Sequence, residues 1–383
     1  MTGESKTNEP SNPARWIGGP DDPDDPDVSN GSCNALFLTH FREIETAPSI
    51  DALRSLGVRI LDVVRITSRP GADIKNMAPK IARLNDTITL RLIALLESTE
   101  DIRLPDGATY IALGSEGRGD QILRTDQDSA IVFVDDLPAD KRPEIERFAT
   151  RIVDALEEIG VPRCPGNIMA SNPQWRHSLS EWKRLLNQWI DIPTPEHILN
   201  FGMFQGLRAL HGDKTIEKQL HDHILAATGR PTLFFPYMAV HALRFPLPLS
   251  MFGRLRVEHR GEHRGRIDIK KAGIFAITVG ASLLALEAGF VDGNTWRKLE
   301  LLGKLGILAP GDLETIENSF TFLVQFRLQW QLRELAANGK PTNHADPRAM
   351  TEEERRQFRQ ALKGVATFLR FMNNRYQLNL ISR

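Results

Sequence analysis

The 383-residue sequence predicts an α+β fold, in which a small α/β domain is flanked by an N-terminal helical region and a C-terminal helical bundle. Three observations carry this. Apolar residues recur at helical spacing before residue 100. Two short apolar runs near residues 110 and 130 are bounded by glycine-rich and acidic segments. From Pro231 onward helical period returns without strand alternation. The expected divisions are a disordered leader over 1–34, a helical region over 35–104, the α/β domain over 105–228 and the helical domain over 229–383.

The elements follow in order. The leader, with PDDPDDPD from Pro20 to Asp27, has few apolar side chains to offset the entropy of ordering. Leu53, Leu56, Val58, Ile60, Leu61 and Val64, then Ile81, Leu84, Ile88, Leu92 and Leu95, mark two helices separated at Pro70-Gly71. Tyr110–Leu113 and Ala130–Val134 read as strands buried on both faces. Ile145, Phe148, Ile152, Leu156 and Ile159 then line one side of a helix stopped by Gly160 and Pro162. The clearest later helices are Ala272–Gly289, Leu313–Asn338 and Glu352–Leu378, the last opened by Thr351 and Glu354 in a capping box.

Composition narrows the function classes. Basic and acidic residues number 48 and 49, a formal charge of -1, so no overall field gathers nucleic acid or an anionic membrane. Any anion site must be local. Cys33 and Cys164 fit no paired metal spacing and no disulfide framework, and the first residues lack the layout of a secretion signal, so the cytoplasm is expected. The uncharged stretch Ala272–Leu286 falls short of the roughly 20 residues a bilayer crossing needs and reads as a core helix.

Chemistry concentrates in LGSEGRGDQILRTDQDSAIVF, Leu113–Phe133. Gly114, Gly117 and Gly119 free the backbone to approach an anion, Ser115 adds a hydroxyl, and Arg118 adds a fork of donors suited to phosphate. Asp126 and Asp128, two apart at the entry to a strand, point to one face about 7 Å apart. Such a pair can hold Mg²⁺ against a polyphosphate. A lone D-x-D is usually a solvated strand end, and the glycines match neither the P-loop nor the dinucleotide fingerprint. The combination carries the signal.

G-S-x-G-R-G followed by D-Q-D and an apolar strand resembles the nucleotidyltransferase-like family of domain of unknown function 294, related to the catalytic domain of bacterial PII uridylyltransferases in the polymerase-beta-like superfamily. The likeness extends to Ala82–Glu97, Cys164–Ile190, Arg266–Ile277, Ser282–Gly289 and Phe326–Leu332, the last three in the helical domain that usually accompanies the module. The resemblance implies a polymerase-beta-like domain in which Gly114 and Ser115 grip a nucleoside triphosphate. Arg118 lies beside the phosphates, Asp126 and Asp128 bind Mg²⁺, and Gly117 and Arg208 belong to the nucleotide site. It also implies transfer of a nucleoside monophosphate to a hydroxyl of a protein or small molecule, with a protein acceptor or regulator as partner.

Two departures qualify this. MFQGLRALHGD, Met203–Asp213, keeps the family's Arg208, Gly212 and Asp213 but carries Gly206 where a third carboxylate is expected. Losing a general base commonly costs roughly 10² to 10⁴ in rate. Asp120 and Asp213 are the acids left to substitute, and the alternative is a catalytically degenerate nucleotide-binding signalling module. In the helical domain Val279 and Ser282 replace a usual Asp and Arg. Elsewhere, His221 and His223, two apart on a helix, are expected to be solvent-exposed rather than metal ligands. Arg254–Lys271 reads as a hydrated basic loop. Trp175, Trp182 and Trp189 read as core, with Trp175 ahead of the helix after Asn172-Pro173.

Overall fold

The computed structural model describes residues 31–67, 73–123, 126–230, 232–250, 253–337 and 339–380. The expected leader lies almost wholly outside them, as does the Pro70-Gly71 break. Helix α1 (Gly31–Glu45) begins inside the expected leader and was not anticipated; its Phe37 and Ile44 are buried. The two anticipated helices are α2 (Ile50–Thr67) and α3 (Ile74–Glu100), capped by the Asp73 side chain.

The α/β portion is a four-stranded mixed sheet of order β3-β2-β1-β4. Strands β1 (Ala108–Ala112) and β2 (Ser129–Phe133) are buried at every position and pair antiparallel, Ala112 opposite Ser129. Between them the chain coils into a single turn, α4 (Gly114–Gly117). Helix α5 (Arg142–Glu158) follows β2, and its end is marked by Gly160 at φ 96. Strand β3 (Arg176–Ser178), not separately anticipated, pairs parallel with β2. Ser178 then opens α6 (Leu179–Asp191) with a capping box. Trp175 precedes α6, and Trp182, Trp189 and Phe204 complete a buried aromatic cluster, with Trp182 and Phe204 centroids 4.4 Å apart. Helix α7 (Pro195–Phe204) leads to β4 (Arg208–Gly212), antiparallel to β1 with Arg208 opposite Ala112, and α8 (Thr215–Thr228) follows.

The remaining chain is helical, as expected: α9 (Phe234–Ala242), α10 (Phe275–Glu287), α11 (Thr295–Lys304), α12 (Pro310–Ala336) and α13 (Glu352–Tyr376), with a short pair β5 (Ile267–Asp268) and β6 (His344–Ala345). Thr351 and Glu354 form the anticipated capping box. Helix α10 is buried nearly throughout, the reading given to its uncharged stretch. Among the described residues no helix is long and apolar enough to cross a membrane. The basic run ends in β5 and a π-helical turn, Lys270–Ile274, where i→i+5 bonding widens the coil before α10.

Candidate active site

Strand β1 delivers the turn and the segment entering β2 delivers the acids. Gly114 adopts φ 56, and a Cβ there would lie 2.5 Å from Asp128 Oδ2 and 2.8 Å from Met203 Cε. Only glycine lets the turn pass this close to the carboxylate. Gly117 serves a different contact: a Cβ would meet the Gly206 carbonyl oxygen at 2.0 Å, so it permits α4 to lie against the chain entering β4. The Leu113 amide donates to the Asp128 carbonyl at 2.9 Å, tying the turn to the acids.

Alternation directs the acidic segment. Gln127 points into the core and donates to the Val153 and Val161 carbonyls, each at 3.2 Å. Its neighbours face the other way. Gln121 Nε2 donates to Asp126 Oδ1 at 3.2 Å. Asp128 is 6 % exposed, and its Oδ1 is buried without a hydrogen-bond partner. Burial pushes the Asp128 carboxyl up to about 7; the Asp126 charge adds to this, while the Cys164 thiol and Lys270 act against it. The same contact and burial push the Cys164 thiol up to about 12, so it stays a thiol donating to Asp128.

Gly114, Ser115, Arg118, Asp120 and Asp128 line one cavity of about 150 Å³, closed on its other side by α10, α12 and the π-helical turn. Sequence reasoning missed the charged residues of this wall, among them Arg244, Lys270 and Arg327. Lys270 and Arg327 are half-buried cations, and partial burial holds each below its usual pKa while Asp126 pulls both up. Their segments had been matched to the helical domain, and Lys270 sits within a basic run expected to be a hydrated loop. The π-helical turn is what brings Lys270 inside. Asp128 in the lining and Asp126 beside it therefore lie opposite two half-buried cations, an arrangement able to hold a polyanion together with a divalent cation.

The space beside Gly206, where the resemblance leads one to expect a third carboxylate, is filled. A Cβ on Gly206 would lie 2.6 Å from Arg118 Cγ and 3.3 Å from Arg118 Cδ, so the arginine stem occupies the space a side chain would need. Arg118 Nε donates to Asp120 Oδ2 at 3.0 Å. Asp120 also accepts from the Thr295 amide (3.0 Å) and hydroxyl (2.8 Å) at the start of α11, which latches the turn to the helical bundle. Its oxygens are taken. Asp213 is more remote: Thr109 opposes Gly212, so Asp213 lies at the far end of β1 from Gly114, about 20 Å along the strand direction. There it holds the Thr215 amide and hydroxyl. Neither candidate substitute is free to replace the missing acid.

Arg208 differs from expectation. It does not line the cavity; its guanidinium makes two bonds to Asp86 (2.6 and 2.9 Å) and donates to the Gly117 and Glu116 carbonyls, each at 3.0 Å. It clamps the C-terminal end of α4 to α3. His221 also differs, being 8 % exposed and paired with Asp292 at 2.9 Å. His223, as two-residue spacing requires, has a separate partner, the Lys183 carbonyl.

Residues 59–196 match the family model described as "Putative nucleotidyltransferase DUF294", and residues 232–376 match the one described as "Putative nucleotidyltransferase substrate binding domain". No curated protein matches the chain. The two models take in, respectively, the turn with its acids and the helices that close the cavity over them, and on these grounds the chain belongs to the DUF294 nucleotidyltransferase family.

Proposed function

We propose that the chain is a Mg²⁺-dependent nucleotidyltransferase that binds a nucleoside triphosphate between the α4 turn and the α10–α12 wall and transfers its nucleoside monophosphate to an acceptor hydroxyl on a protein or small molecule. One observation carries the reading: Ser115, Asp128, Lys270 and Arg327 converge on one cavity, with Asp126 beside them. The orphaned Asp128 Oδ1 and the elevated pKa of its carboxyl fit a divalent cation, since an adjacent double charge would remove the penalty of ionising two neighbouring acids. Asp126 and Asp128 would hold the ion, which would offset charge developing on the phosphates. Lys270, Arg327 and Arg118 orient the triphosphate and shield it from water. At about 150 Å³ the cavity is smaller than the roughly 300–1,000 Å³ of most ligand sites, so entry requires the α10–α12 face to move away from the turn.

The second reading, a nucleotide-binding module without turnover, is favoured by the Arg118 stem lying in the Gly206 position. Calorimetry with each nucleoside triphosphate, with and without Mg²⁺, tests binding; pyrophosphate release or a mass increment on an acceptor, absent in Asp128→Ala, tests turnover. Absence of triphosphate binding refutes both readings, and binding without release leaves the module.

A further inference from the structure

A cleft of about 960 Å³ lies away from this cavity, between α3, α8 and α11. Within it are Glu217 and His221, one turn apart on α8 and therefore on one face, and Asp292 from the loop before α11. Each offers one ligand atom, and these atoms all lie within 4.8 Å of one another. His221 has an unusual environment. Its ring is buried, one nitrogen meets Asp292 Oδ1 at 2.9 Å, and Nε2 has no hydrogen-bond partner. A buried ring nitrogen without a partner has lost its hydration with nothing in exchange.

We propose that Glu217, His221 and Asp292 form a second metal site, for a divalent transition ion of the Zn²⁺ class rather than Mg²⁺. The donor set supports the class: one imidazole with two carboxylates suits Zn²⁺, Mn²⁺ or Co²⁺, whereas the all-oxygen pair Asp126 and Asp128 suits Mg²⁺. A second trio, Glu258, Asp268 and His344, is a poorer candidate, since Asp268 already holds the Lys271 ammonium at 3.1 Å and its amide at 3.0 Å, whereas Glu217 Oε2 of the first trio accepts from a neutral donor, the Ala209 amide, at 2.7 Å. An ion at the first trio would join α8, next to β4 of the sheet, to the loop entering α11, whose first residue holds Asp120. It would therefore staple the helical bundle to the domain carrying the α4 turn.

The test uses full-length protein stripped of metal by a chelator, titrated with Zn²⁺ by calorimetry and with Co²⁺ by visible absorption. One equivalent is expected in the wild type and in Asp128→Asn, with Zn²⁺ raising the melting temperature of both. Binding is expected to weaken by about 10- to 100-fold or more in His221→Gln and Asp292→Asn. The Asp292 side chain is 77 % exposed, so Asp292→Asn keeps the test decisive even if His221→Gln fails to fold. No Zn²⁺ bound by the wild type, or unchanged binding in Asp292→Asn, overturns the proposal. Loss of the equivalent in Asp128→Asn with retention in Asp292→Asn also overturns it, by assigning the ion to the other acids.

Discussion

Replacing Asp128 by Asn should stabilise the protein in neutral and alkaline solution. Burial and the neighbouring Asp126 move the Asp128 carboxyl from an ordinary 3.8 to about 7. Between those two values the folded protein keeps a proton that the unfolded chain has released. The folded state thus binds more protons, and stability falls as pH rises from about 4 to about 7. Above pH 7 the loss is complete, at most about 4 kcal/mol for a displacement of this size. Asn has nearly the same shape, can still accept from the Cys164 thiol, and has no proton to lose. Urea unfolding of both proteins at pH 4.5 and pH 8 should therefore show a small difference at the lower pH and a variant more stable by about 1–4 kcal/mol at the higher. Adding Mg²⁺ at pH 8 should close the gap by stabilising only the wild type, in proportion to RT ln(1 + [Mg²⁺]/Kd). A gap that does not change with pH would refute the electrostatic argument, and a gap that Mg²⁺ leaves untouched would refute the assignment of the ion to these acids.

Three further outcomes are expected. Arg327→Met and Lys270→Met should each weaken triphosphate binding by roughly 10- to 100-fold in calorimetry, the worth of a charge-assisted hydrogen bond of about 1.5–3 kcal/mol, and equal affinity would remove the cation wall from the site. Arg208→Met should cost about 1–3 kcal/mol in urea unfolding by leaving Asp86 without its partner, while triphosphate affinity in the folded variant changes far less than in Arg327→Met; the reverse pattern would return Arg208 to the phosphates. Gly206→Asp should destabilise by about 1–3 kcal/mol because its Cβ meets the Arg118 stem, and adding Arg118→Ala should recover part of that loss, a coupling visible in a double-mutant cycle and absent if the two residues do not compete for space.

What was legible in the sequence was what short segments determine. Strands β1 and β2 were visible because burial on both faces leaves uninterrupted apolar runs, and α5 because one stripe of five apolar residues faces the sheet. The turn and acids were visible because 15 consecutive residues, Gly114–Asp128, contain both. Helix α1 was hidden by the polar leader preceding it, and β3 is only three residues long. Lys270 and Arg327 enter from 142 and 199 residues beyond Asp128, and nothing local separates the inward lysine of a basic run from its solvated neighbours. The π-helical turn makes that separation. Arg208 shows the opposite limit: its match to a family position located it on the right strand, but the choice between phosphate and Asp86 depends on where α3 packs.

Gly206 and Arg118 are best understood together. Without a side chain at 206, the Arg118 stem lies over the backbone and its Nε reaches Asp120, whose oxygens in turn hold the first residue of α11. Glycine at 206 therefore permits a link between the turn and the helical bundle. The cavity is lined by Asp128 and by the cations Arg118, Arg244, Lys270 and Arg327, with Asp126 beside it, which favours holding a polyanion, while Asp120, the other acid in the lining, is engaged by Arg118 and Thr295. Binding and turnover thus depend on different residues in this chain, and measuring one does not establish the other. An acceptor hydroxyl would need activation from outside this set, by the bound ion or by a group on the acceptor itself, which makes the acceptor's own acidity the variable to scan once triphosphate binding is in hand.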